Sequence, residues 1–429
     1  MPTKRTARNV GRIAKHACVA GLLALAACSN EPAGQAPASE SLEARAARVH
    51  EAAVVIDTEI DLRFDLYADE TKDPAQEKDW QFTIPKMQAG GMDAAVFAVY
   101  VPQEERTPEG YAKSYAGGRK KLAAFQRMLA ENPDEIELAR TADDVERIVA
   151  SGKRAAMLGM VNANVLGPEL EWLDLYDDAG LVYIGFTHAG HNHLSDSARP
   201  APRLGDAEAE HGGLSPIGVQ LIAEMNRRGI LVDVSQISAA ALMQAADVSQ
   251  APIIASHSSV YALVPTARNI TDEGLEAIKR TGGVIQVVAF RSFILDTYDE
   301  LQAGIAKVRE QYGLTPEMDP SSLEPDVLKK FIKDYGSVIL TMPLPTVSQY
   351  VDHIEYAVNV IGIDHVGISS DFEHGGGIDG WYDVSEVGNV TRELLKRGYS
   401  EADAAKILGG NFLRVMREAQ AVAEQLTAS

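Results

Sequence analysis

The amino-acid sequence predicts an α/β fold, a (β/α)8 barrel of the TIM type with helical insertions in its βα loops. Short apolar runs rich in β-branched residues alternate with longer amphipathic segments along the chain after residue 50. There are eight such runs, and no antiparallel hairpin signal separates them. No GxGxxG follows the first run, which weakens the competing prediction of a dinucleotide-binding sheet.

The predicted strands and helices can be placed in chain order. The eight strands are residues 54–57, 94–100, 155–160, 182–188, 230–235, 252–257, 284–290 and 365–372. Helical patterns lie between them, and the pattern ITDEGLEAIKRTGG adds a helix start at Thr271 and a stop at Gly282. The stretches 63–85 and 291–345 are longer than a βα loop needs, so we expect them to be insertions.

The first 27 residues have the pattern of a lipoprotein signal peptide. A basic region is followed by a short apolar run and by LAAC, which ends at Cys28, and the run is too short to span a membrane. A small-residue stretch ending in cysteine resembles a bacterial lipobox, which implies cleavage before Cys28 and lipidation of that residue. An ordinary signal peptide cut near Ala27 is the alternative. Residues 28–50 are then a flexible tether, and residues 51–425 form a single domain.

Charge and cysteine content restrict the class of protein. Both cysteines lie within the first 28 residues, so the mature body has no disulfide bonds. The formal net charge of −21 becomes −26 once the five cations of the signal are removed. Such a surface argues against nucleic acid or an anionic membrane surface as a partner. The predicted location is extracytoplasmic, with a lipid anchor in a bacterial membrane, and a homodimer is left open.

Polar residues stand at the carboxyl ends of the predicted strands, where a barrel has its active site. They include Glu59 and Asp61 at strand one, His188 at strand four, Gln236 at strand five, His257 at strand six and Asp371 at strand eight. Alternate residues of a strand share a face, so Asp57, Glu59 and Asp61 are expected to point the same way. Buried acids need a partner, and the sequence leaves a metal ion, a basic side chain and water open.

Some neighbouring polar residues have a simpler explanation. Asp57 is expected to form structural hydrogen bonds. His191 and His193 lie in a loop rich in Gly, Asn and Ser, where solvated or hydrogen-bonded histidines are expected. Replacement of a lost metal ligand by one of them is the alternative. Glu373 and His374, with the three glycines that follow, are expected to form a flexible loop after strand eight.

Several stretches resemble a known family. They are FTHAGHNHLSDSARP, EHGGLSPIG, GILVDVSQIS, IIASHSSVYALVPTARNITDEGLEAI and HVGISSDFEH. Together they resemble the membrane (renal-type) dipeptidase family of the amidohydrolase superfamily, from about residue 52 to about residue 420. The resemblance implies a (β/α)8 barrel that binds two zinc ions and cleaves dipeptides, often with a D-residue at the C-terminal position.

The resemblance implies a role for each matching residue. Asp61, His257 and Asp371 stand at metal-ligand positions of the family. His188 matches a histidine that contacts the substrate, and Arg268 matches the arginine that holds the substrate's terminal carboxylate.

Three ligand positions of the family have changed in this sequence. The histidine of strand one is replaced by Glu59, the bridging glutamate by Val161, and the histidine of strand five by Gln236. Val161 cannot bind a metal, so a binuclear site is not expected.

We expect instead one divalent ion, zinc by the family resemblance, in an oxygen-rich site. Its expected ligands are Glu59, Asp61, Gln236, His257 and Asp371. Asp371 would also act as the general base, and His188 would stabilise the developing oxyanion.

Two functions from different classes fit these observations. The first is an extracytoplasmic, metal-dependent hydrolase that cleaves the amide bond of dipeptides or related small amides, with a small peptide as substrate. The second is a non-catalytic binding protein that has lost the dizinc site and has kept Arg268 to bind a carboxylate. The replacement of histidine by Glu59 and Gln236 keeps polar character, which favours a remodelled site over a decaying one.

Overall fold

The computed structural model describes residues 40–318 and 320–428. Its centre is a parallel sheet of nine strands. These are β1 (Ile56–Asp61), β2 (Ala94–Tyr100), β3 (Ile136–Leu138), β4 (Arg154–Val161), β5 (Leu181–Gly185), β6 (Leu231–Asp233), β7 (Ile253–Ser258), β8 (Val284–Val288) and β9 (Val366–Ser369). Eight of them lie in the order β1-β2-β4-β5-β6-β7-β8-β9, and the short β3 pairs with β4 off this path.

The first and last strands of this order meet and close the sheet. Ile60 forms a parallel bridge with Phe372. The Asp61 N–H donates to the Phe372 carbonyl at 2.9 Å, and the Asp371 N–H donates to the Glu59 carbonyl at 3.1 Å. The prediction of an eight-stranded α/β barrel is therefore confirmed, and each of the eight predicted strands overlaps a strand of the barrel.

Helices connect the strands, as the amphipathic segments predicted. They are α1 (Leu42–Ala52), α2 (Phe64–Ala68), α3 (Ile84–Gly90), α4 (Pro108–Glu131), α5 (Ala142–Ala150), α6 (Leu173–Asp178), α7 (Pro216–Arg228), α8 (Ala239–Val248), α9 (Asp272–Arg280), α10 (Arg291–Ile294), α11 (Tyr298–Gln311), α12 (Pro325–Thr341), α13 (Val347–Ile361), α14 (Gly388–Lys396), α15 (Glu401–Ala405) and α16 (Asn411–Ala428). The predicted helix start is confirmed at α9, where the Thr271 hydroxyl accepts from the Gly274 N–H at 3.2 Å.

Two of the boundaries that differ from the sequence prediction concern the acids of β1 and the predicted tether. β1 begins at Ile56 and ends at Asp61, so the acids expected after the strand lie within it. Its pairing with β2 shifts register between Asp57 and Ile60. Helix α1 begins at Leu42, inside the segment predicted as a tether, because its apolar side packs on the domain with Ala46 and Val49 buried. Cys28 and the signal peptide lie outside the described residues.

The two predicted insertions are helical. Residues 63–85 contain α2 and the start of α3, and residues 291–345 contain α10, α11 and α12. The second insertion has a small hydrophobic cluster of its own, centred on Val308, Leu314 and Phe331. Within the described ranges, no helix combines the length and the apolar character that crossing a membrane requires.

Candidate active site

A cavity of about 190 Å³ opens at the carboxyl ends of the barrel strands. Six of its lining residues are among the predicted site residues: Glu59, His188, Gln236, His257, Arg268 and Asp371. The others are Tyr100, Val161, Arg199, Phe290, Phe293 and His374. The predicted residues therefore converge on one cavity. Five of them stand at the carboxyl ends of strands, which meet at one face of a barrel, and Arg268 reaches the cavity from the loop after β7. Asp61 lies next to the cavity, behind His374.

Asp61 is held by two basic side chains. Lys121 Nζ, from α4, lies 3.2 Å from Asp61 Oδ1, and His374 Nδ1 lies 2.5 Å from Asp61 Oδ2. Burial raises the pKa of Asp61, but the charges of Lys121 and His374 outweigh it and hold this pKa below its ordinary value. Burial lowers the pKa of His374, and the contact with Asp61 outweighs that effect and raises it. Both carboxylate oxygens of Asp61 are thus engaged by side-chain cations.

Glu59 is buried at the bottom of the cavity and is bonded to a neutral partner. The Tyr183 hydroxyl, from β5, donates to Glu59 Oε2. Burial, followed by the charges of Asp371 and Asp61, raises the pKa of Glu59 well above its ordinary value. The environment therefore favours the neutral carboxyl at this position.

Asp57, at the start of the same strand, has the structural role expected of it. It is fully buried, and its Oδ1 accepts from the backbone N–H groups of Glu59 at 3.2 Å and Ser370 at 3.0 Å. These bonds tie β1 to the end of β9. Burial raises the pKa of Asp57 to about 7.

Gln236 and His257 face each other across the cavity wall. Arg199 Nη2 lies 2.8 Å from Gln236 Oε1, and because a guanidinium only donates, this contact fixes the orientation of the amide. The Gln236 Nε2 amide then points at His257 Nε2, 2.9 Å away, and makes that ring nitrogen the acceptor.

The other ring nitrogen of His257 must then hold the proton. His257 Nδ1 donates to Ser256 Oγ at 2.7 Å, and the Ser256 hydroxyl donates to Asp233 Oδ2 at 2.7 Å. Burial, with the charge of Arg268, holds the pKa of His257 well below its ordinary value, so the ring is neutral. A continuous hydrogen-bond chain thus runs from Arg199 to Asp233 and occupies both nitrogens of His257.

His188 lies between Tyr100 and Arg199. Its Nε2 is 3.3 Å from Arg199 Nη2, and its Nδ1 is 3.4 Å from the Tyr100 hydroxyl. Because the guanidinium is the donor, His188 Nε2 is an acceptor. Burial and the charge of Arg199 hold the pKa of His188 well below its ordinary value. The ring is neutral and is already hydrogen-bonded on both sides.

Arg268 is a buried guanidinium that pairs with no carboxylate among the described residues. Its Nη2 donates to the His257 carbonyl at 2.9 Å and its Nη1 to Ser258 Oγ at 3.2 Å. It lies 5.0 Å from the centre of the Phe293 ring, and within residues 40–318 and 320–428 its Nε has no hydrogen-bond partner. Burial, with the charge of Arg199, lowers the pKa of Arg268 to about 9. The guanidinium thus presents its positive charge to the cavity, where Asp371, Asp233 and Glu59 favour the charged form without pairing directly with it among the described residues.

The loop after β9 brings Asp371 and His374 to the cavity. Asp371 and Glu373 have positive φ values of 58° and 66°, which are uncommon for residues other than glycine. Glu373 is bonded to Arg63 at 2.8 Å and to the Phe82 N–H at 2.9 Å. Side-chain bonds to residues far away in sequence therefore hold this loop, for which the sequence predicts flexibility. Burial raises the pKa of Asp371.

The two loop histidines after β5 lie apart from the cavity lining. His191 is buried, its Nδ1 accepts from the Ser197 N–H at 2.9 Å, and its Nε2 is 2.9 Å from the Ala207 carbonyl. His193 packs edge-on against Tyr111 at a centroid distance of 5.5 Å. The contacts of His191 are those of a hydrogen-bonded loop residue, as expected. The ring nitrogens of His193 are buried and have no hydrogen-bond partner among the described residues, which differs from the expectation.

The residues do not fit the expected metal ion in this arrangement. Asp61 is paired with two cations, both nitrogens of His257 are hydrogen-bonded, and the oxygen of Gln236 accepts from Arg199. Across residues 40–318 and 320–428, no three His, Cys, Asp or Glu side chains come together in a group that could hold a metal. The carboxylate of Asp371 forms no hydrogen bond with another side chain of the described residues.

Three basic residues of the site were missed from the sequence. Lys121 lies in the middle of α4, and its sequence neighbours give no sign that it reaches the barrel. Arg199 lies in the loop after β5 and belongs to the stretch FTHAGHNHLSDSARP, in which it follows three histidines. His374 was assigned to a flexible loop. The available signal was the same in each case: buried acids need compensating charge, and a basic side chain is one way to supply it.

Comparison with known proteins places the chain among dipeptidases. A family model described as membrane dipeptidase, peptidase family M19, matches residues 43–429. Dipeptidase tcpJ of Claviceps purpurea is 32% identical over 368 residues, which are 84% of this chain and 74% of that protein. Dipeptidase aclJ of Aspergillus oryzae is 30% identical over 352 residues, 81% of this chain and 72% of that protein.

Two solved structures share the fold. The probable dipeptidase PvdM from Pseudomonas aeruginosa is similar with a TM-score of 0.80 and 34% identity, covering 89% of this chain and 99% of its own. A metallo peptidase from Rhodobacter sphaeroides, liganded with a phosphinate mimic of the dipeptide L-Ala-D-Ala, has a TM-score of 0.66 and 20% identity, covering 86% and 99%.

Proposed function

Because this chain belongs to the membrane dipeptidase family, peptidase family M19, we propose that it hydrolyses the amide bond of a dipeptide or a closely related small amide. One observation supports this most directly. Arg268 is a buried guanidinium at the cavity with a free Nε and, among the described residues, no carboxylate within 4.0 Å. A free terminal carboxylate of the substrate would supply a directly bonded counter-charge.

The surroundings of Arg268 suit the C-terminal end of a small peptide. Phe290 and Phe293 stack at a centroid distance of 4.4 Å and line the cavity next to the guanidinium. They offer an apolar wall to a C-terminal side chain, while Arg268 orients the carboxylate. A cavity of about 190 Å³ suits a ligand of dipeptide size rather than a folded protein segment.

Asp371 is the group proposed to activate water. Its carboxylate lines the cavity and is free of side-chain hydrogen bonds within the described ranges, so it can accept a proton. The other two acids are less suited, because Asp61 is neutralised by Lys121 and His374 and Glu59 is bonded to Tyr183. This is the role that the sequence predicted for Asp371.

The proposed reaction does not depend on how many metal ions the protein binds. Members of this family are zinc-dependent metallopeptidases, and the sequence predicts one divalent ion here. Since the predicted ligand atoms of Asp61, Gln236 and His257 are engaged by other side chains, no step of the reaction is assigned to a metal. The dipeptidases among the relatives favour a hydrolase over the non-catalytic binding protein.

The proposal is tested by amine release from a panel of L,L and L,D dipeptides, with and without added divalent ions. Wild-type protein should show multiple turnover. Arg268→Met should raise KM by about 10-fold or more, because a bidentate, charge-assisted contact with the carboxylate is lost. It should affect dipeptide amides, which have no terminal carboxylate, much less. Arg280→Met is the matched control, because Arg280 is exposed and paired with Asp247. This variant should leave KM unchanged.

Two results would count against this function. The first is a complete lack of turnover on the panel under all metal conditions. The second is an Arg268→Met variant with wild-type KM for dipeptides and intact folding. Stabilisation of the fold by dipeptides without turnover would instead favour the binding protein.

A further inference from the structure

On the basis of the proposed amide hydrolysis, we infer that Arg199 stabilises the carbonyl oxygen of the scissile amide as a built-in cation, so that this chain needs no divalent metal ion for the reaction. Its guanidinium lines the same cavity as Asp371 and Arg268. Arg268 would bind the substrate carboxylate, Asp371 would activate water, and Arg199 would bear the charge that develops between them.

The position of Arg199 is well defined by its partners. Its Nη2 donates to Gln236 Oε1 at 2.8 Å and lies 3.3 Å from His188 Nε2, so acceptors after β5 and β6 orient one guanidinium nitrogen. Its backbone is also held, because its N–H donates to Ser197 Oγ at 3.0 Å and its carbonyl accepts from the Gly190 N–H at 2.8 Å. A donor fixed before the substrate arrives needs little reorganisation when negative charge develops.

His188 is less suited to this task than Arg199. An oxyanion needs hydrogen-bond donors, and His188 Nε2 is an acceptor for the guanidinium. Its ring is also neutral, since burial and the charge of Arg199 disfavour protonation. In this arrangement His188 positions Arg199, and the guanidinium is the donor.

Cationic side chains also bond the oxygen atoms that a metal ion would need as ligands. Lys121 and His374 bond the two oxygens of Asp61, and Arg199 bonds the oxygen of Gln236. The amide of Gln236 in turn bonds His257 Nε2. A divalent ion bound through these atoms would lie against fixed positive charges and an N–H donor. Positive charge is thus already present where the family resemblance implies metal.

The chemical step is a general-base hydrolysis. The Asp371 carboxylate takes a proton from water as the water oxygen bonds to the amide carbonyl carbon, and the carbonyl electron pair moves to the oxygen, next to the N–H groups of Arg199. On collapse the C–N bond breaks, its electron pair goes to nitrogen, and Asp371 returns the proton to the leaving amine. Water and amide become carboxylic acid and amine, without any other reactant.

The experiment compares metal-free wild-type protein with two Arg199 variants. Protein dialysed against chelator should contain no stoichiometric metal, should show no saturable zinc binding by calorimetry, and should keep its kcat. Arg199→Gln should lower kcat by about 10²–10³-fold, the usual effect of removing one oxyanion donor. Because Arg268 still binds the carboxylate, the KM and the thermal stabilisation by dipeptide should change little. Arg199→Lys, which keeps the charge, should recover part of kcat.

The controls separate this inference from the proposed function. Arg203→Gln, in the same loop but bonded to the Gln103 carbonyl outside the cavity, should leave kcat unchanged, and thermal unfolding checks that each variant folds. Activity that chelation abolishes and zinc restores would overturn the role of Arg199 while leaving the dipeptidase function intact. Unchanged kcat in Arg199→Gln would do the same. Absence of turnover under every condition would overturn both.

Discussion

At the scale of single residues, the barrel mouth is a set of buried acids, most of which have an identifiable partner. Asp61 has Lys121 and His374, Glu59 has Tyr183, and Glu373 has Arg63. Each partner removes part of the cost of burying an acid. Two charged groups at the cavity differ within the described ranges: the Asp371 carboxylate has no side-chain hydrogen bond, and the Arg268 guanidinium pairs with no carboxylate. Asp371 is the group proposed to activate water, and Arg268 is the group proposed to bind the substrate.

A histidine outside the cavity gives a prediction for the pH dependence of stability. His353 on α13 is buried, its Nδ1 accepts from the Val260 N–H at 3.2 Å, and its Nε2 lies 3.3 Å from the Ile294 carbonyl. Burial, only partly offset by the Ile294 carbonyl and Asp352, lowers the pKa of His353 to about 4. Because this pKa is below that of the unfolded chain, near 6.5, the stabilisation is complete above pH 6.5 and is lost as the pH falls towards 4.

The test is urea unfolding of wild type and His353→Gln between pH 7.5 and 4.5. The wild-type free energy of unfolding should fall over this range by up to about 3 kcal/mol more than that of the variant. Other buried histidines are common to both proteins and cancel in the comparison. Parallel pH curves would show that His353 does not make this contribution.

At the scale of elements, the loop after β9 is the segment on which the site most depends. It holds Asp371 and His374 at the cavity and is closed by bonds to β1, to the β1–β2 connection and to its own backbone. Gly376 lies where this loop turns back. Its N–H donates to the Asp371 carbonyl at 2.9 Å, and an added Cβ would lie 1.9 Å from the Ser370 carbonyl oxygen.

Gly376→Ala should therefore displace the loop. We expect a loss of about 2 kcal/mol or more in the free energy of unfolding, as for other backbone clashes at special positions, and a fall in kcat/KM because Asp371 moves. Gly388→Ala is the matched control, since an added Cβ there at the start of α14 meets no atom within 4 Å. It should not be destabilising. Wild-type stability and kcat/KM in Gly376→Ala would show that the loop tolerates the methyl group.

At the scale of the whole molecule, one compact unit begins at Ser41, and the lipid anchor is predicted upstream of it. Cys28→Ala should release the protein from the membrane fraction of a bacterial host into the soluble fraction. The unfolding midpoint of the released domain should equal that of the wild type, because the compact unit is unchanged. Fractionation with detergent phase separation measures the first effect and thermal unfolding the second. A wild-type protein that is already soluble would support the ordinary signal peptide instead.

The sequence by itself determined the architecture and the location of the site. Eight apolar runs separated by amphipathic segments predict eight parallel strands, because strand and helix periodicity are local properties that side-chain pattern encodes directly. The placement of Glu59, His188, His257 and Asp371 around one cavity follows from the same logic, since all carboxyl ends of a barrel's strands meet at one face. Arg268 lies in the loop after β7, and only the family resemblance predicted its place at the site. The sequence did not predict the short β3, and it placed the start of β1 two residues too early. Short strands and the ends of elements contain too few residues for a clear hydrophobic pattern.

Only the tertiary structure decided which cations face the acids. Asp61 and Lys121 are 60 residues apart in the chain, and Asp61 and His374 more than 300, so no spacing rule links them. The long Lys121 and Arg199 side chains reach the barrel mouth from a helix and a loop whose packing fixes their direction. The sequence predicts that buried acids need positive charge, but whether a metal ion or a side chain supplies it depends on which groups the folded chain brings within about 3 Å.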